Sequence, residues 1–209
     1  MELDEAIRRR AMVRSFSPDG VDRALLDRLL QAALRSPTAG NTGGTAWVVL
    51  EGPEETAVYW EATTDESWRA RNRARFEGLH RAPVVLLSYA SPDAYAARYA
   101  EPDKAARYAE PDKSDPRLAA GEWPVPYWFG DAAFAVMTIL LGAVDAGLGA
   151  CVLGNFRREA ELAERLAVPE GWRLFCAVAL GHPDGDDHRS ASLGRPQPGR
   201  AGRVHRGRW

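Results

Sequence analysis

Cysteine is scarce in this sequence, which has only Cys151 and Cys176 among its 209 residues. Both lie in apolar, strand-like surroundings, and no Cys-x-x-Cys or Cys/His spacing of a metal site is present. Two buried free thiols are typical of a reducing compartment. The charged first residues also lack the apolar segment of a secretory signal. We therefore expect a cytoplasmic protein without a metal centre.

An excess of charge of either sign is absent as well. The 27 basic and 29 acidic residues give a formal net charge of -2, which argues against a polyanion such as nucleic acid as a partner. The composition, 45% apolar and 27% charged, is that of a globular protein, and the length suits one core. We predict a single domain over residues 1–209. Only residues 188–209, with six arginines and no acid, depart from this balance, and they could meet a phosphate, an acidic partner or only water.

A hydrophobic run long enough to span a membrane is missing too. Residues 132–144 form an apolar run of about 13 residues between Asp131 and Asp145, and a membrane helix needs about 20. A helix of this composition has no polar face, so its own domain, a second subunit or both must cover it. A short strand at 150–153 follows, and Gly154 at its end would let a ligand approach the main chain.

The apolar periodicity predicts the remaining elements. An amphipathic helix is expected over 21–35, with leucines at 25, 26, 29, 30 and 34 on its inner face. Continuous apolar runs predict buried strands, and polar helical patterns fill the segments between them. The predicted strands cover 47–50, 82–90, 150–153 and 172–181, and the other helices lie within 53–80 and at 159–166.

Two segments stand out as candidate binding elements. Arg10 and Arg14 are four residues apart, so on a helix they would project from one side and could both contact a phosphate. A solvated charged face is the alternative for these arginines. Residues 36–44 are nine small, turn-forming residues whose backbone donors are unobstructed, so the loop could enclose a planar ligand or only connect two elements.

An exact tandem repeat interrupts the second half of the chain. The nonapeptide AARYAEPDK occupies residues 96–104 and again 105–113. Nine residues are too few for a stacking structural unit, so we interpret 96–113 as a recent duplication in a tolerant surface loop. The aromatic residues 123–129 that follow could line a dimer seam or a substrate pocket. Residues 186–209 are expected to form an extended arm that packs Trp209 across a second subunit.

Four segments, in order, resemble the FMN-dependent nitroreductase family along nearly the whole chain. The first is Arg-Ala-Met-Val-Arg-Ser-Phe at 10–16, and the second is Ser-Pro-Thr-Ala-Gly-Asn at 36–41. The third runs from the Asp-Ala-Gly-Leu-Gly segment at 145–149 to Gly154. The fourth runs from Val-Pro-Glu-Gly at 168–171 to the closing strand and turn that end at Pro183. The last residues, 204–209, look like the ending of actinobacterial-type members.

This resemblance implies an α+β fold with a central, mostly antiparallel sheet flanked by helices. It also implies an intertwined homodimer that holds FMN at the subunit seam. In the family pattern, Arg10 and Arg14 hold the FMN phosphate and the polar edge of the flavin, and the main chain of Ala11 and Met12 lies nearby. Arg195 is the residue of the C-terminal arm that we assign to the phosphate.

The other implied cofactor contacts come from the small-residue loop and from the strand after the apolar helix. The main-chain N–H of Gly154 is expected at flavin N5, and Val152 and Leu153 are expected to face the ring. The resemblance assigns no side chain as a general acid or base. The loop residues, expected to reach the cofactor from the other subunit, are Pro37, Thr38, Ala39 and Asn41.

The implied activity is reduction of an electron-poor nitroaromatic or quinone-like acceptor by NAD(P)H, through ping-pong hydride transfer by FMN. Three departures from the family pattern affect the flavin site: Gly43 replaces a frequent Gln, Thr45 a usual Trp, and Met12 a common hydroxyl residue. Other flavin chemistry on the same fold is an alternative, namely flavin fragmentation, dehalogenation or heterocycle oxidation. A non-catalytic flavin-binding protein and an unrelated structural dimer are further alternatives.

Overall fold

A four-stranded antiparallel sheet forms the centre of the computed structural model. The strands are β1 (Thr45–Glu51), β2 (Val84–Ala90), β3 (Gly149–Leu153) and β4 (Arg173–Gly181), in the spatial order β1-β2-β4-β3. Every residue of β2 is buried, as the continuous apolar run predicted, because β2 lies inside the sheet. The structure describes residues 1–105, 123–155, 157–185, 194–196, 199 and 202–208, without the side chains of 73–76.

Helices cover both faces of the sheet, and the alternation of side chains along β2 shows how. Val84 and Leu86 pack in a core with α2 (Arg23–Leu34) and α7 (Tyr127–Asp145), whereas Val85 and Leu87 pack in a core with α3 (Gly52–Thr63), α4 (Glu66–His80) and α8 (Glu159–Arg165). The predicted α+β fold with a helix-flanked antiparallel sheet is therefore confirmed. The other α-helices of the described residues are α1 (Leu3–Arg9), α5 (Pro92–Ala100) and α6 (Pro102–Ala105).

The apolar helix α7 is a core helix with one uncovered face. It is long and apolar enough to cross a membrane, but its buried residues pack on α2 and on the sheet. Tyr127, Phe134 and Met137 lie on an opposite stripe, and about half of each side chain is exposed. Leu34, which the periodicity placed on the inner face of α2, is also 55% exposed. The chain's own domain thus covers α7 only in part.

The first nonapeptide copy corrects the expectation of a surface loop. Residues 96–104 are largely helical, since they form the second half of α5 and the start of α6. Ser91 caps α5 by accepting a hydrogen bond from the backbone N–H of Ala94, and Pro92 starts the helix. Residues 106–113 of the second copy lie outside the described part of the chain, as do most of the residues of the predicted arm at 186–209.

Candidate functional site

A cavity of about 350 Å³ lies where β3 ends, between the N-terminal segment, α3 and the beginning of α4. This volume is within the range of small-molecule sites, roughly 300–1,000 Å³. The predicted cofactor residues Arg14, Val152, Leu153 and Gly154 all contribute to its wall. The other residues that line it are Tyr59, Trp60, Thr63, Thr64, Trp68, Leu79, Cys151, Asn155 and Arg157.

The N-terminal segment, residues 10–16, reaches this cavity as an extended chain and not as a helix. Helix α1 ends at Arg9, and the backbone N–H of Val13 donates to the carbonyl oxygen of Ala150 across 3.0 Å. The helical geometry that we predicted for Arg10 and Arg14 is therefore wrong, because pairing with β3 overrides the local helical pattern. Four extended residues separate two Cα atoms by about 13 Å, where a helix would separate them by about 6 Å.

Because the segment is extended, Arg10 and Arg14, the two arginines predicted to bind the phosphate, lie in different surroundings. Arg14 is half-buried on the cavity wall, and its Nη1 donates to the carbonyl oxygen of Met12 at 3.1 Å. Arg10 caps the end of α1 and is not one of the residues that line the cavity, and neither is the exposed Ala11. Arg14 is thus the N-terminal arginine that the structure places at the site.

Met12 occupies a position between the N-terminal segment and β3. Its Sδ accepts a long hydrogen bond, 3.5 Å, from the backbone N–H of Val152, and its side chain packs against both main cores. The thioether therefore uses a backbone donor of β3. Gly154, the first residue after β3, is exposed, and its backbone lies beside the cavity.

The cavity wall combines an apolar surface with positive charge. Among the described residues, its lining includes two arginines, Arg14 and Arg157, and no acidic residue. Asp65, which caps α4 through the backbone N–H of Trp68 at 2.7 Å, lies just outside and is 3.8 Å from Nη1 of Arg157. Hydrogen bonds from Ser67 and Trp68, and then the charge of Arg157, hold the pKa of Asp65 below its usual value.

The donor set of the cavity fits a planar ligand that carries an anionic group. The rings of Trp60 and Trp68 and the side chain of Leu153 supply an apolar surface, and the guanidinium groups supply positive charge. On the same wall, Asn155 Nδ2 and Trp60 Nε1 are buried donors without a hydrogen-bond partner among the described residues. The described part of the chain contains no cluster of His, Cys, Asp or Glu suited to a metal ion.

The small-residue loop lies away from this cavity and is anchored by α7. The Asp131 carboxylate, 5% exposed, accepts a hydrogen bond from the backbone N–H of Ala39 and another from the Tyr95 hydroxyl, both at 2.7 Å. Burial and this contact raise the pKa of Tyr95 well above its usual value. The structure therefore does not bring Pro37, Thr38, Ala39 and Asn41 to the cavity of their own chain.

The remaining predicted elements take other positions. Arg195 is exposed and does not line the cavity. Gly43 has a φ of +64°, and its N–H donates to Thr38 Oγ1 at 3.2 Å, so this position suits glycine better than the family's Gln. Trp128, from the aromatic segment 123–129, packs in its own domain with Tyr95 and Ala132, whereas Tyr127 of the same segment is 48% exposed. A role of this segment at a dimer seam or a pocket wall therefore stays a prediction.

Several lining residues escaped the sequence analysis. The sequence indicates Thr63 and Thr64 only as a helix start, and no pattern in it singles out Arg157 or Asn155. For Trp60 and Trp68 the sequence favours core positions, with a pocket wall as the alternative, and both contribute to the cavity wall. Trp60 is also buried in the core, so one ring serves both purposes. No local pattern links these residues to β3, because their proximity arises only when α3 packs on the face of the sheet to which Cys151 of β3 also contributes.

Comparison with known proteins agrees with this architecture. The model of the nitroreductase family matches residues 7–182. An NADH dehydrogenase of Thermus thermophilus is 30% identical over 202 residues, with 92% of both chains covered. A protein of Archaeoglobus fulgidus, named for NADH dehydrogenase and NAD(P)H nitroreductase, is 26% identical over 203 residues, or 96% of this chain and 94% of that one.

A solved structure shows the same fold at lower identity. The nitroreductase CinD of Lactococcus lactis, in complex with 4-nitrophenol, is 16% identical and superposes with a TM-score of 0.73 over 98% of both chains. Fold, chain coverage and the family match agree from the first helix to the last strand. The chain belongs to the nitroreductase family.

Proposed function

We propose that this oxidoreductase binds FMN in the cavity at the end of β3 and uses NAD(P)H to reduce electron-poor acceptors of the nitroaromatic or quinone type. The observation that carries the proposal is the cavity itself: the family motifs assign Arg14, Val152, Leu153 and Gly154 to FMN, and all four line it. The names of the two relatives, which include NADH dehydrogenase and NAD(P)H nitroreductase, support the donor.

The chain's own residues would bind, orient and shield the cofactor. When bound, FMN would supply the redox chemistry, which is hydride transfer from the nicotinamide to the acceptor in a ping-pong cycle. The guanidinium of Arg14 places positive charge on the cavity wall, where it would stabilise an anionic group of the bound ligand. The Trp60 ring and Leu153 exclude water from one side of the cavity, which strengthens that electrostatic effect.

A homodimer belongs to the same proposal. Tyr127, Phe134 and Met137 form an uncovered apolar stripe on α7, and a soluble chain normally covers such a face with a partner. Beside the stripe lies a groove lined by Ser36, Pro37 and Thr138 among others. The loop that the family pattern gives to the partner's flavin therefore starts at the same surface. We place this dimer in the cytoplasm.

The proposal is tested by adding FMN to the purified protein and following NADPH and NADH oxidation with nitrofurazone or a simple quinone as acceptor. FMN-dependent turnover of both acceptor classes is the expected result. Bound FMN that no acceptor reoxidises would replace this proposal with a flavin-binding role. Bound FMN that is reduced and reoxidised, but not by nitro compounds or quinones, would favour one of the specialised flavin chemistries.

A further inference from the structure

The conformation of the loop at residues 36–44 depends on contacts with neighbouring helices as well as on hydrogen bonds within the loop. Gly40, Asn41 and Gly43 all have positive φ values, +67°, +54° and +64°. Left-handed backbone is costly for Asn41 and unrestricted for the glycines, so such a loop samples many conformations unless other elements fix it. Inside the loop, the N–H of Asn41 donates to the carbonyl oxygen of Thr38 at 2.9 Å, and the hydroxyl of Thr42 donates to that of Ala39 at 2.6 Å. Further contacts come from α5 and α7.

Two tyrosines one turn apart on α5 form the surface against which the loop packs. A Cβ atom on Gly40 would lie 2.9 Å from Cε2 of Tyr99, and a Cβ on Gly44 would lie 2.5 Å from Cε2 of Tyr95. Residues i and i+4 of a helix share one face, so this pair presents two adjacent rings to the two glycines. The loop can lie this close only because both positions lack a side chain.

Arg98 adds a directed hydrogen bond to this surface. Its Nε donates to the carbonyl oxygen of Gly40 at 3.0 Å. Its two terminal nitrogens are held by Asp103, at 2.7 and 2.8 Å, and Nη1 also donates to Glu101 at 2.8 Å. A guanidinium held by three carboxylate contacts is fixed in position, so its Nε–H points at the loop at little cost in side-chain entropy.

All four residues of this arrangement, Arg98, Tyr99, Glu101 and Asp103, belong to the first copy of the repeated nonapeptide. We propose that this copy is a positioning device for the cofactor: together with Tyr95 and Asp131 it fixes the loop that would reach FMN. The proposal depends on the proposed function. These residues are positioning residues, because they act on the ligand through the loop and do not line the cavity.

The exact repeat gives the test an unusual variant. Removing residues 96–104 or residues 105–113 yields the same shortened chain, in which the single copy again follows Tyr95 directly. The arginine of the second copy is Arg107, so Arg98→Ala is best made both in the full chain and in the single-copy chain. Ala97→Gln, at an exposed position of the same nonapeptide, is the control.

The measurements are the FMN dissociation constant from flavin fluorescence, kcat at saturating FMN and the melting temperature of the apoprotein. We expect Arg98→Ala in the single-copy chain to raise the FMN dissociation constant about tenfold, with partial recovery in Arg98→Lys. We expect kcat at saturating FMN to stay within about twofold. The single-copy chain and Ala97→Gln should bind FMN like the chain with both copies.

Three results would overturn the inference in different ways. FMN binding that is unchanged in Arg98→Ala, with at most a lower melting temperature, would leave Arg98 as a stabilising surface residue and would leave the proposed function intact. A full-length protein that does not bind FMN at all would overturn the proposed function and this inference together. Loss of binding in the single-copy chain would also contradict it, since one copy would then be insufficient.

Discussion

Val13 packs against Gly149 so closely that a Cβ atom on Gly149 would lie 2.8 Å from the Val13 side chain. The contact joins the N-terminal segment to the first residue of β3, next to the hydrogen bond from Val13 to Ala150. Arg14 follows immediately, so this pairing also determines where the cationic side chain of the cavity stands. The packing contact between Val13 and Gly149 thus positions Arg14 in the candidate site.

Gly149→Ala is therefore expected to destabilise the protein by about 1–3 kcal/mol, since overpacking forces the backbone or Val13 to move. It should also weaken FMN binding, because Arg14 moves with the segment. Gly20→Ala is the control: Gly20 is exposed and an added methyl group would meet no atom within 4 Å, so stability should change by less than about 0.5 kcal/mol. Urea unfolding of both variants measures the difference, and equal midpoints would contradict the account.

Arg14→Ala should weaken FMN binding at least tenfold, because a charge-assisted hydrogen bond contributes about 1.5–3 kcal/mol. Arg9→Ala is the matched control, since Arg9 is exposed, pairs with Glu5 and does not line the cavity. Flavin fluorescence titration gives both dissociation constants. If the two variants bind equally well, Arg14 does not hold the cofactor.

Met137→Lys should convert the proposed dimer into monomers, since it places a charge in the exposed stripe of α7. The same variant should lose FMN affinity, because the loop at 36–44 would no longer reach a partner's cavity. Ala70→Lys, at an exposed position on α4, adds the same charge away from the stripe. Light scattering of both variants gives the masses, and a dimeric Met137→Lys would place the subunit contact elsewhere.

His80 should make the stability depend on pH in the acid range. Burial, and then the charge of Arg69, lower the pKa of His80 below its usual value of about 6.5. Below about pH 6.5 the unfolded chain binds this proton while the folded chain does not, so the free energy of unfolding decreases as the pH falls toward the folded pKa. Unfolding titrations from pH 7.5 to 5 should show a shallower decrease in His80→Gln, and parallel curves would refute this.

Cys176 should be chemically inert in the folded protein. Burial raises the pKa of its thiol to about 12, so at pH 8 the reactive thiolate is on the order of 10³-fold rarer than for a free cysteine. In the Cys151→Ala variant, which retains only Cys176, a thiol reagent should react slowly until denaturant is added. Complete reaction of the folded variant within seconds would show that β4 opens far more easily than its burial implies.

The sequence predicted the elements whose patterns are local. β2 and β4 are continuous apolar runs, so both were found with nearly their observed bounds. The apolar run at 132–144 identified α7, but the helix begins earlier, at Tyr127. The exposure of Leu34 was missed because the periodicity of α2 continues past the point where α7 covers it. Periodicity shows which residues share a face, but it does not show how far the partner surface extends.

Tertiary contacts decided the features that the sequence missed. The segment after Arg9 has a helical pattern, yet pairing with β3 extends it. The repeat suggested a loop, whereas the Ser91 cap and the buried Tyr95 commit residues 96–100 to a helix. In the sequence Asp131 marks only the boundary of an apolar run, and its role as anchor of Ala39 becomes visible only once α7 and the loop are adjacent.

FMN titration of the purified protein, with the visible spectrum and the solution mass recorded on the same sample, tests the central claim most directly. We expect a yellow protein with a flavin band shifted by binding and a mass about twice 22.9 kDa. A colourless species of single-chain mass after equilibration with excess FMN and removal of the free flavin would contradict it.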